Sequence, residues 1–233
     1  MNAVFKREFR AYFTSPVGYV VLAVFLFFQG LYFSYMFSTG YSDITFVFSQ
    51  LFSIVLFVMP ILTMRLVSED TKQKVDQALF TAPVGTLSII LGKFFAAFSV
   101  LAVATSITLI YQFLLSMYVK LNWYVYFSNV VGLLLFGAAI IAVGIFVSSL
   151  PESQVIAAIG SFAISLFILT LDTIAEMVNI GFITKVVEWF SFSGRYSTFV
   201  SGILDYSNIV FFVSFVAVFL FLTVRILDKR RWA

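Results

Sequence analysis

The chain has 233 residues, 62% hydrophobic and only 11% charged, with a formal net charge of +3 and a mean hydropathy of +1.07. Water-soluble domains are about 45–50% apolar and about 25% charged, so this composition excludes an ordinary soluble domain. There is no His and no Cys, which removes His/Cys zinc sites, iron–sulfur clusters, disulfides and His-assisted nucleophiles, and no cofactor or metal is expected in this chain.

Lys6, Arg7 and Arg10 open the chain, and the 32 residues between Arg10 and Asp43 contain no Asp, Glu, Lys or Arg. Crossing ~30 Å of hydrocarbon takes ~20 apolar residues, so this run predicts a first transmembrane helix near Val17–Phe37. The run exceeds a secretory h-region of about 7–15 residues and no small-x-small site follows, so a retained signal anchor is expected. The polar turn Ser38–Asp43 leads to a second span near Ile44–Met64, with Pro60 expected to kink it.

The next segment, Arg65–Lys93, is rich in charge. Ser68 is placed to cap a helix, Glu69 and Asp70 suit its positive end, and Pro83-Val84-Gly85 stops it. Val75, Ala78 and Leu79 make a narrow apolar stripe beside Lys72, Asp76 and Gln77. Such a helix either rests on lipid or docks a partner. Thr86 is placed to cap a further segment that runs through Lys93 into a third span near Phe94–Tyr118.

Gly92-Lys93 is the chain's one Gly-Lys pair. A P-loop needs a glycine five residues upstream and Ser or Thr after the lysine, whereas Gly85 lies seven before Gly92 and Phe94 follows. Lys93 is therefore expected to snorkel to the interface as a boundary cation. A Ser–Lys dyad is disfavoured because the lysines all lie at span boundaries. Gln29 in the first span and Gln112, Thr105, Ser106 and Thr108 in the third either line a pathway or hydrogen-bond between helices.

A fourth span near Phe127–Val147 carries Gly137 and Gly144 on one face, and a fifth near Ser153–Leu171 carries Ala157, Ser161 and Ser165. Small residues permit close helix approach. The SSLPE turn joins these two spans as antiparallel neighbours. Asp172–Asn208 then spans 37 residues but is itself apolar, so short helices at the interface are expected, with Trp189, Tyr196 and Tyr206 at headgroup depth. A sixth span near Ile209–Leu227 ends in a basic cluster. With the N-terminus cytoplasmic, eleven basic residues fall inside and three (Lys120, Lys185, Arg195) outside. The positive-inside rule therefore predicts six spans with both termini cytoplasmic. The basic balance is explained by topology, with no nucleic-acid partner.

Residues 60–94, PILTMRLVSEDTKQKVDQALFTAPVGTLSIILGKF, resemble the signature region of type-2 ABC exporter permeases. They are most similar to the branch of gliding-motility and nitrous-oxide-reductase maturation permeases. FKREFRAYFTSPVGYVVLAVF, IAVGIFVSSLPESQVIAAI and FLFLTVRILDKRRW agree with that branch in order and position. The resemblance implies one all-α permease domain over residues 1–233 with the type-2 ABC exporter fold, in the inner membrane of a bacterium. It implies a cytoplasmic connecting helix within residues 1–15, including Phe5, Lys6, Arg7, Phe9 and Arg10. It implies a coupling helix within residues 65–93, carrying Glu69, Asp70, Lys72, Val75, Ala78 and Leu79. Short extracytoplasmic helices are implied within residues 172–208. Val75 departs from the Thr found in many relatives.

The implied partners are two copies of a separate cytoplasmic ATP-binding subunit, which binds ATP and Mg²⁺, and a second or related permease. The expected function is export of an apolar or amphipathic substrate. The alternative is a transmission subunit relaying motion to an extracytoplasmic accessory protein.

Overall fold

The computed structural model describes residues 1–40, 43–74, 85–178 and 189–232. Helices α1 (Asn2–Thr14), α2 (Pro16–Ser38), α3 (Thr45–Thr63) and α4 (Ser68–Lys72) are followed by α5 (Thr86–Ser106) and α6 (Thr108–Ser116). Helices α7 (Trp123–Ser148), α8 (Gln154–Val178), α9 (Phe192–Val200) and α10 (Tyr206–Trp232) complete the described chain. Among the described residues, six helical stretches are long and apolar enough to cross a membrane, and each overlaps a predicted span. The chain is a polytopic, mostly helical membrane protein. Six crossings return the chain to the side on which α1 lies, so α1 and the end of α10 share one face, here the terminal face; the other is the distal face.

Local chemistry sets the helix ends. Extended Ser15 precedes Pro16 at the start of α2, where proline's missing N–H is not needed. The Asn122 side-chain Oδ1 accepts from Tyr124 N at 3.0 Å and opens α7. Pro60 lies inside α3 without ending it. The third span breaks at Ile107, between α5 and α6. There Thr105 Oγ1 donates to Leu101 O at 2.9 Å and Thr108 Oγ1 to Thr105 O at 2.7 Å. Such back-bonding competes with the backbone ladder and bends helices.

Helices α3, α5 and α7 form the buried centre. The predicted small-residue faces do pack: a Cβ on Gly144 would overlap Thr63 Oγ1, and one on Gly137 would overlap Leu101 Cδ2. Ala157, Ser161 and Ser165 of α8 are likewise turned inward and buried. The fully buried face of helix α2 is a narrow stripe of Gly18, Val21, Phe25, Gln29 and Met36.

At the distal face α9 is wedged between spans. Phe199 is fully buried against Gly132, and its carbonyl accepts from Ser128 Oγ at 2.9 Å. Tyr196 corrects the expectation of headgroup depth. It is 3% exposed and its hydroxyl donates to Phe48 O of α3 at 2.7 Å, so a buried partner replaces water at the polar tip. Trp189 and Tyr206 are exposed. Arg195 ties this corner together. It donates to Asn208 Oδ1 at 2.8 Å and Trp189 O at 3.0 Å, over the Phe211 ring.

The segment after α3 differs from its expected form. Val67, at the N-cap position, has helical backbone angles, whereas a capping side chain needs an extended backbone there. Ser68 therefore does not cap; its hydroxyl donates back to Met64 O. The helix ends at Lys72, and Lys74 is left-handed at φ 56, so no single helix runs from Glu69 to Leu79. Val75, Ala78 and Leu79 lie outside the described residues. Gly85, rather than Thr86, occupies the N-cap of α5, with no side-chain cap.

Candidate functional site

The terminal face gathers charges that lie far apart in the sequence. Val4, Glu8 and Tyr12 recur at helical spacing and form the buried face of α1, while Lys6, Arg7 and Arg10 remain exposed. Along its flank Phe5 stacks on Phe9, and Phe13 meets Phe9 at a tilt. Helix α1 lies close against α5 because Gly92 has no side chain: a Cβ there would meet Val4 Cβ at 3.0 Å.

That approach brings Glu8 to Lys93. The Lys93 ammonium, only 2% exposed, donates to Glu8 Oε1 at 2.9 Å and pairs with Asp70 Oδ2 at 2.6 Å. It also donates to Leu66 O. Arg7 completes the cluster, bonding Glu8 and reaching Asp70 Oδ2 at 3.2 Å. Two cations thus face two carboxylates, and the charges balance. Lys93 corrects the boundary expectation: it does not snorkel to water but turns inward, because α1 and α4 supply carboxylates there. Burial alone pushes the Glu8 carboxyl up, but Lys93 and Arg7 outweigh it and hold it below its ordinary 4.5.

Arg65 joins the same elements. Its guanidinium donates to Ser15 Oγ at 2.8 Å and Ala11 O at 3.1 Å, the end of α1 where its carbonyls need donors. It lies over the Tyr12 ring and 3.8 Å from Glu69 Oε2. The Tyr12 hydroxyl donates to Leu62 O at 3.0 Å. Across the bundle, Ser148 Oγ donates to Met64 O at 2.9 Å and accepts from the Val67 and Ser68 amides at 3.2 Å. The turn after α3 is therefore fixed to α1, α5 and α7 together. Displacement of residues 65–70 away from α1, α5 or α7 strains at least one of these bonds.

The sequence-predicted residues are brought together in part. Arg7 and Asp70 meet in the cluster, Glu69 sits at its rim, and Lys6, Arg10 and Lys72 are exposed around it. Most of the bonds are made by Lys93, which the sequence placed at the water boundary, and by Glu8, Arg65 and Ser148, to which the sequence assigns no site role. Their available signals were modest: Glu8 shares a helical face with Val4 and Tyr12, and Gly92 precedes a lysine at the head of an apolar helix.

The intramembrane polar residues behave differently. Gln29 is fully buried and donates to Ala104 O at 3.2 Å, joining α2 to α5. Thr105 and Gln112 are buried too, and Thr108 meets the Tyr126 hydroxyl at 3.1 Å. Ser106 faces outward and bonds its own helix at Ala102 O. It therefore does not share a site with Gln29, Thr105 and Gln112.

Acid should loosen the cluster. Glu8 titrates lower in the folded protein than in the unfolded chain, so its contribution is complete above pH 4.5. That contribution is lost as pH falls through the lower folded-state value. In detergent, wild-type melting temperature is expected to fall faster than that of Glu8→Gln as pH drops below 4.5. Parallel curves would remove Glu8 from the pH response.

Comparison with known families and with curated proteins finds no match to this chain.

Proposed function

We propose that this chain is the transmembrane permease subunit of an ATP-binding cassette exporter in a bacterial cytoplasmic membrane. Two copies, or one copy with a related permease, bind two cytoplasmic ATP-binding subunits, which hold ATP and Mg²⁺. The observation that carries this reading is the Lys93 cluster. It links α1, residues 65–70 and the third span by charge-assisted bonds in a buried setting, where such bonds are strongest. A partner pressing on the segment after Asp70, or on the exposed face of α1, would move the third span rather than a free loop. The resemblance of four segments to exporter permeases supports an ATP-binding subunit as that partner, and the basic excess supports a cytoplasmic terminal face.

A second reading has its own support. Helix α3 leads at one end into the turn that reaches the charge cluster through Leu66 O and Asp70 and, through Phe48 O, holds Tyr196 of the distal helix α9 at the other. Motion delivered at residues 65–70 would reach α9 without any solute crossing, as a transmission subunit acting on an extracytoplasmic partner requires.

Mass spectrometry of the tagged protein, gently solubilised from its own host, tests both. A stoichiometric ATP-binding subunit is expected, and an added extracytoplasmic protein would favour transmission. Active protein repeatedly isolated without any ATPase would overturn the proposal in favour of a carrier working alone.

A further inference from the structure

A groove of about 540 Å³ runs between α5 and α10 on the outer surface of the bundle. Its floor includes Phe94 and Leu220, both 6% exposed, while Leu87, Phe95, Val213 and Phe221 form exposed lips. From Val213 to Asp228 the α10 wall extends about 22 Å at 1.5 Å per residue. Half of a bilayer that is ~40–45 Å thick with its headgroups has the same span. The groove is apolar along its length and changes character at the terminal face. There Arg225 and Asp228 line it, three residues apart on one side of the helix. The Arg225 guanidinium lies 4.9 Å from the Phe221 ring centroid, and neither residue is ion-paired with another described residue.

We propose that this groove is a binding site for a phospholipid with a primary-amine headgroup. One acyl chain lies along Phe94 and Leu220. The phosphate meets Arg225, whose planar donors suit phosphate oxygens, and the ammonium donates to the Asp228 carboxylate. The carboxylate is what selects the occupant: an anionic glycerol headgroup would be repelled by it, and a trimethylated ammonium has no N–H to give it. Burial of apolar chain supplies affinity, and the charged pair supplies choice of headgroup.

The test is native mass spectrometry of delipidated protein titrated with dioleoyl phosphatidylethanolamine, phosphatidylcholine or phosphatidylglycerol. Phosphatidylethanolamine is expected to be retained about tenfold better than phosphatidylcholine, the discrimination that a charge-assisted hydrogen bond provides. Asp228→Asn should abolish that preference while leaving chain binding, and Arg225→Ala should weaken retention of every lipid. Both positions lie on the rim of the groove, and size-exclusion profiles confirm that the variants fold. Equal retention of all three lipids, a preference for phosphatidylglycerol, or an undiminished preference in Asp228→Asn would overturn the assignment.

A second copy in the groove is tested separately, since the chain has no Cys. Oxidation of Val213→Cys in native membranes should leave monomers. Efficient disulfide dimers would show that another protomer, not lipid, covers the groove.

Discussion

Lys93→Met is expected to destabilise the protein by about 3–5 kcal/mol, because it leaves two partly buried carboxylates facing each other with one ammonium gone. Glu8 and Asp70 both lie within 3 Å of the Lys93 ammonium, and Arg7, which is half-exposed, cannot neutralise both. At about 2–4 °C per kcal/mol for a chain of this size, the melting temperature in detergent should fall by roughly 6–20 °C. The comparison that isolates the charge effect is Glu8→Gln, Asp70→Asn and Lys93→Met combined. Replacing buried ionic partners together is often neutral, and the one charge left, Arg7, is half-exposed and can be solvated, so the triple variant should recover most of the stability lost by the single one. If Lys93→Met melts with the wild type, the cluster is not a structural joint.

The same pair of variants separates stability from coupling. The triple variant keeps the shape of the joint but lacks the charge-assisted bonds that resist pulling. Under the proposed function it should fold, bind its ATPase, and couple hydrolysis poorly to motion of the third span. Normal coupling in the triple variant would mean that force passes through the apolar contacts of α1, Val4 and Phe5 against the third span, instead.

Which parts of this architecture were legible in the sequence follows from what each part depends on. The six spans follow from uninterrupted charge-free runs, a property of the chain read in one dimension. The faces of Gly137, Gly144, Ala157, Ser161 and Ser165 follow from helical period, and all five residues are turned into the bundle or against a neighbouring helix. Lys93 depends on more than its own segment. At the head of a span a lysine reaches water unless another element brings it carboxylates, and here Glu8 and Asp70 come from 85 and 23 positions away in the numbering. Ser68 failed as a cap for a related reason: the turn bond from Leu66 N to Thr63 O keeps the chain helical in advance of it. Tyr196 was read from its amphipathic chemistry alone, which suits a headgroup and a buried carbonyl equally well.

Gly144→Ala tests the tightest predicted helix contact. A Cβ there would overlap both Oγ1 and Cβ of Thr63, whose rotamer is fixed by its bond to Met59 O at 2.9 Å. Thr63 is β-branched and stiff, so relief requires moving α7 away from α3. Overpacking costs about 1–3 kcal/mol, set against about 0.5–1 kcal/mol gained when Ala replaces Gly in a helix. A net loss of up to about 2.5 kcal/mol is therefore expected, with Gly144→Leu failing to accumulate as folded protein. Thr63→Ala should rescue Gly144→Ala, giving a coupling energy near the size of the original loss. Gly30→Ala is the control, since its Cβ would meet only the Tyr111 hydroxyl at 3.6 Å, an ordinary contact. That variant should be neutral or slightly more stable. Equal melting temperatures for the two alanine variants would mean that α7 and α3 have room between them, and the joint formed by Ser148 at the end of the same contact would lose its rigid support.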